Sequence, residues 1–147
     1  MVWKPRLTVA AIIEQQGRFL LVEETIDGQP TLNQPAGHVE DGESILTAVV
    51  RETREETAWE FRPRALIGLY RWVHPDGETF LRAAFSGEAV HHDPQQPLDP
   101  EIDRVCWMEP SELRQAQARC RSPLVMRCLE DYLAGRRYPL ELLQDVE

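Results

Sequence analysis

The sequence lacks any apolar run near the ~18 residues that a membrane-spanning helix needs. Its opening, Met1-Val2-Trp3-Lys4-Pro5-Arg6, leads directly into strand-like sequence. The apolar segment and small-residue cleavage site of an export signal are missing, so a cytoplasmic location is expected. Cysteine is scarce: Cys106, Cys120 and Cys128 form an odd set without paired spacing. That argues against a disulfide framework or a zinc site, and the three are read as reduced thiols acting as small hydrophobes. Basic excess is also lacking, with 16 Lys and Arg against 25 Asp and Glu and a formal net charge of -9. A nucleic-acid polymer or an anionic membrane would find no general attraction here. A small polyanion remains compatible, because carboxylates gathered in one cleft recruit divalent cations that reverse the local sign. There is no repeat and no linker, and 147 residues fit one domain spanning 1–147.

What is present has an α+β order. Arg6 to Glu14 and Arg18 to Thr25 are rich in apolar and β-branched residues. The turn Gln15-Gln16-Gly17 joins them, which predicts a β-hairpin. Thr31 to Ala36 reads as a short extended piece ending at Gly37. Over Ser44 to Thr57 the period changes: Leu46, Val49, Val50 and Thr53 recur at helical spacing. Ala65 to Val73 and Thr79 to Ala89 read as strands around the turn His74-Pro75-Asp76-Gly77. Val90 to Pro100, with three prolines, reads as a loop, and Arg104 to Met108 as a short strand. Pro110-Ser111-Glu112 opens a brief helix. Ser122-Pro123 starts a last helix, which Gly135 ends. The tail beyond Gly135 carries no assignable pattern.

The informative stretch runs from Gly37 to Trp59. Glu52, Glu55 and Glu56 span roughly 100° of helix circumference, off the apolar stripe. Like charges at i,i+4 cost a few tenths of a kcal/mol per pair, so about that much must be offset by something outside the helix. A hard divalent cation suits the role, since magnesium prefers carboxylate and phosphate oxygens. Glu43 stands at the helix start, where a carboxylate complements the dipole, and Arg51 offers a fork that orients carboxylates. Gly37 lets backbone approach a ligand or metal closely.

Gly37, Glu43, Arg51, Glu52, Glu55 and Glu56 fall in register with the Nudix box, and the chain resembles that family. Two positions depart from the pattern: Ala58 stands where the family has Gly, and Thr53 is only partly apolar. Val22–Ile26, Asn33–His38, Phe80–Arg82, Arg121–Val125 and Arg137–Glu141 extend the likeness to a bacterial phosphatase branch over nearly the whole chain. The resemblance implies an α/β/α sandwich with a mixed sheet and a loop–helix–loop box. It implies hydrolysis of nucleoside tri- and diphosphates and thiamine-type pyrophosphates, including hydroxymethylpyrimidine diphosphate, with release of orthophosphate. Mg2+, with Mn2+ as a substitute, would sit on Glu52, Glu55, Glu56 and the Gly37 carbonyl. Glu52 is then the leading proton acceptor, with Glu43 and Arg51 orienting the ligands.

Beyond the box, Gln34, His38, Arg71 and Arg82 are candidates for substrate contact, although His38 equally fits a hydrogen-bonded loop residue. Trp72 suits a packed core aromatic better than a stacking platform. Glu101 is a candidate extra carboxylate, in competition with Asp99 and Asp103. Glu40, Arg54 and His91-His92-Asp93 read as solvated surface. For Ala58 a negative φ is expected, with the preceding residues absorbing the turn. Two rivals stand beside this reading. One is a pyrophosphatase of the nucleotide-sugar type that releases a nucleoside monophosphate. The other is a Nudix-fold binding module without turnover, which loss of a box carboxylate would favour. The sequence does not determine the oligomeric state.

Overall fold

The computed structural model describes residues 1–146. Seven strands form one mixed sheet: β1 (Arg6–Gln15), β2 (Arg18–Ile26), β3 (Gln29–Asn33), β4 (Ala36–His38), β5 (Trp59–Val73), β6 (Thr79–His92) and β7 (Ile102–Met108). The helices are α1 (Ile45–Thr57), α2 (Pro110–Gln115) and α3 (Pro123–Leu133), with single 3-10 turns at Gln117–Arg119 and Leu140–Leu142.

The predicted hairpin forms, but β1 and β2 pair only beside their turn, Glu14 with Phe19 and Gln15 with Arg18. Beyond that they splay apart. β3 takes the edge of β2 while β4 takes the edge of β1, with Thr8 opposite His38 and Ala10 opposite Ala36. The extended piece expected over 31–36 is therefore two strands, interrupted at Gln34-Pro35 where the chain crosses from one partner to the other. An Asp27-Gly28 turn with both φ positive delivers β3 to β2. β1 lies parallel to β6, and β6 lies antiparallel to β5.

Val9, Ala11 and Ile13 face α1 with Leu20, Phe61, Ala83 and Phe85. Ile12 faces the other way with Leu21, Ile67 and Ala84, under Leu113 of α2 and Val125 and Leu129 of α3. The period of two along β1 thus feeds two separate apolar layers, which is why this strand is apolar on both faces. The result is the α/β/α sandwich with a mixed sheet that the sequence led us to expect.

Three expectations need correction. β5 starts at Trp59 rather than Ala65. Pro63 interrupts the pattern, but it lies at a register shift on an edge strand, where a missing N–H is tolerated. Val90 to His92 belong to β6 and pair with this extension, Trp59 opposite His92. Ala58 has φ 62°, not a negative value. It caps α1 in the left-handed conformation, donating its N–H to the Arg54 carbonyl (2.9 Å), while its own carbonyl accepts from Asp93 N–H (3.0 Å). The β5–β6 extension holds the helix exit in place, and tertiary pairing outweighs the Cβ clash.

Candidate active site

The α1 helix starts at Ser44, whose hydroxyl accepts from Thr47 N–H (3.1 Å). From there each box residue has a defined position. Arg51 donates to both Glu43 oxygens (2.6 and 3.0 Å), to Glu52 Oε1 (2.9 Å), to Glu55 Oε1 (2.6 Å) and to the His38 carbonyl (3.1 Å). One guanidinium ties the helix carboxylates to the loop that precedes them, and hydrogen bonding to Glu43 raises its pKa further. The same contact lowers the pKa of Glu43.

Glu52, Glu56 and Asp99 place carboxylate oxygens within 4.8 Å of one another. Burial raises the pKa of all three, and pushes Glu56 up to about 9. Glu56 accepts the Ala36 N–H (2.9 Å) through Oε1. Asp99 is held by its own N–H to the Glu55 carbonyl (2.9 Å). Of the loop acids in competition, Asp99 is the one that converges. Glu101 is exposed at the cleft wall, and Asp103 accepts the Thr25 hydroxyl (2.6 Å) outside it. Glu55 is turned to Arg51 and lies outside the converging set.

This donor set fits a divalent cation. It consists only of hard oxygens, crowded and partly buried, the ligand type a divalent cation prefers. Gly37 completes the cradle, since a Cβ there would land on the Glu52 carboxylate. The Gly37 carbonyl has a different direction from the one expected. Ala11 N–H bonds Pro35 O and Val39 N–H bonds Leu7 O, so strand alternation turns Gly37 toward Val9 of β1. The N–H of Ala36 points to α1 instead, donating to Glu56.

A cleft of about 600 Å³ opens from these acids across the sheet. Thr8, Arg82 and Phe80 line it, continuing the face that Ile12 and Ala84 present to α3. Arg82 is 5% exposed and donates to Gln34 Oε1 (3.0 Å) and Asn33 Oδ1 (3.2 Å). It has no carboxylate partner among the described residues, and its Nε has no partner at all. A buried cation held only by amides is costly unless an anion joins it. Gln34 does not line the cleft. It is buried behind Arg82 and donates to the Val125 carbonyl (2.8 Å), so it positions the arginine. Arg71 is exposed on the face of β5 opposite Trp72 and lies outside the cleft. Trp72 is half-buried in the cleft wall, not in the core. His38 sits at the rim. Asn33, His74 and Phe80 were not singled out, although the i,i+2 spacing of Phe80 and Arg82 on one strand was a readable signal.

A helix that carries acids off a glycine turn, packed on a mixed sheet beside a cleft with a buried arginine, defines a hydrolase class. The NUDIX domain profile matches residues 4–128, and the chain belongs to the Nudix family of hydrolases. It is similar to Phosphatase NudJ of Escherichia coli strain K12, 43% identical over 143 residues, covering 97% of this chain and 93% of that protein. It also resembles a NUDIX hydrolase from Nitrosomonas europaea, with TM-score 0.94 and 52% identity over 97% of this chain and 98% of that one. The E. coli dihydroneopterin triphosphate pyrophosphohydrolase shares the fold alone, with TM-score 0.69 and 18% identity over 92% and 99% of the two chains.

Proposed function

We propose that the protein is a magnesium-dependent phosphatase of small organic diphosphates and triphosphates. The range suggested by its likeness to NudJ is nucleoside tri- and diphosphates and thiamine-type pyrophosphates, hydroxymethylpyrimidine diphosphate among them, with orthophosphate as product. The observation that carries the reading is one cleft joining the converged Glu52, Glu56 and Asp99 to Arg82, which has no carboxylate partner among the described residues. Bound there, Mg2+, or Mn2+ in its place, supplies the charge that neutralises the phosphates. Glu52 accepts the proton of the attacking water: Arg51 occupies its Oε1, leaving Oε2 without a bond to Arg51, and burial raises its basicity. The water oxygen forms a new P–O bond, and the bridging P–O bond breaks with its electron pair leaving on the departing phosphate. Glu43 holds Arg51, and Arg51 holds Glu52 in place. Arg82 receives a phosphate oxygen. A panel of nucleoside triphosphates, nucleotide sugars and thiamine diphosphate with Mg2+, scored by product, tests this. Orthophosphate is expected. Nucleoside monophosphate from the sugars would favour the rival pyrophosphatase, and no turnover of any compound would favour a binding module.

A further inference from the structure

The end of the cleft away from the acids is built of rings. Trp72 and Phe80 are cross-strand neighbours with centroids 5.7 Å apart at 33°. His74 stands edge-on to Trp72 at 5.3 Å, and His38 lies 6.5 Å from Phe80. All four line the cleft, so these aromatics present a continuous surface to it instead of closing into the core. Arg6, paired with Glu78, forms the rim on that side.

The sheet register sets the spacing. Ala36, whose N–H donates to Glu56, is level with Ala10 and Ala84. Arg82 is level with Thr8 and Tyr70, two residues along β6 and about 7 Å away. Phe80 is level with Arg6 and Trp72, two residues further and about 13 Å along β6 from Ala84. Buried arginine and aromatic surface thus follow one another along the α3 face, and the cleft joins them to the acids at the β4 edge.

We infer that the Trp72–Phe80 surface is the specificity site for a flat heteroaromatic ring on the substrate, stacked there while Arg82 holds a phosphate between ring and acids. The inference rests on the proposed phosphatase reading and narrows it. A ring gains stacking on Trp72 and Phe80, while an alkyl group of equal charge does not. Nucleosides and thiamine-type compounds share that ring and differ in the linker, so separate arms tell them apart.

The test compares cytidine 5′-diphosphate, thiamine diphosphate and methyl diphosphate as substrates of the full chain with Mg2+. The wild type should favour at least one ring compound over methyl diphosphate in kcat/KM, the ring arm chosen showing which linker fits. Trp72→Ala and Phe80→Ala should each reduce that preference at least about fivefold, through KM more than kcat, and Trp72→Phe should retain most of it. Intrinsic tryptophan fluorescence should change when the favoured ring compound binds, and Trp72→Phe should remove most of that change. Equal preference in wild type and both alanine variants, with folding confirmed by thermal melts, overturns the inference and leaves the phosphatase reading standing. Absence of turnover with every compound removes that reading, while the fluorescence change still reports on the ring site.

Discussion

Glu56 shows how much one carboxylate is asked to do. It is 6% exposed, and burial pushes its pKa up to about 9 from an ordinary 4.5. Between those two values the folded chain holds a proton that the unfolded chain has released. In the absence of metal, stability therefore falls as pH rises from about 4.5 to about 9. Thermal melts in chelator at pH 5.5, 7 and 8.5 should show this decline, and Glu56→Gln should flatten it. A metal-free wild type whose melting point rises over that range would sink the idea. With Mg2+ present, Glu52→Gln or Glu56→Gln should lower kcat by at least about 10²-fold, since the amide keeps the shape and loses the charge or base. Full turnover in excess chelator would contradict it. Ala58 is the opposite case, a residue whose side chain works against its backbone. Its left-handed φ of 62° costs about 1–2 kcal/mol, against about 0.4–1 kcal/mol that glycine forfeits in the unfolded chain. Ala58→Gly should gain on the order of 0.5 kcal/mol in chemical denaturation, and a clear loss would mean that packing of its buried methyl dominates.

At the scale of the element, α1 both packs and presents chemistry. Ala48 and Val49 lie in the α1 layer, and buried Thr53 satisfies its hydroxyl on the Val49 carbonyl (2.8 Å). The partly apolar residue at that box position is thus accommodated without an unpaired polar atom. The opposite edge carries the acids, and Arg51 sets their directions. Arg51→Lys keeps the charge and loses the fork that reaches Glu43, Glu52 and Glu55 together. We expect kcat to fall about 10- to 100-fold, with little change in the melting point. Equal losses of activity and stability would show that Arg51 acts through folding.

For the molecule as a whole, Cys106, Cys120 and Cys128 do not line the cleft. Burial raises the pKa of Cys106, Cys120 and Cys128, which keeps them protonated at neutral pH. Cys128 lies fully buried on α3, beside Arg82. Replacing all three with Ser or Ala in a folded protein should leave turnover within a few fold; a loss of several orders of magnitude in steady-state kinetics would assign one of them a role.

The sequence by itself determined what depends on local spacing. Helical period placed α1, Ser44 and Ser122 marked helix starts, and the box register named Gly37, Glu43, Arg51, Glu52, Glu55 and Glu56. Alternation placed the β1–β2 hairpin and the inner lengths of β5 and β6. The tertiary structure decided whatever depends on strands distant in sequence lying side by side. It selected Asp99 over Glu101 and Asp103, because the Glu55 carbonyl fixes that loop. It put Gln34 behind Arg82 and left Arg71 outside, because the pairing of β6 with β1 and β5 decides which face meets the cleft. It turned Trp72 from the core to the wall. It held Ala58 left-handed, because Trp59 must pair with His92. A local pattern shows which side chains share a face, but only the assembled sheet shows what that face looks onto.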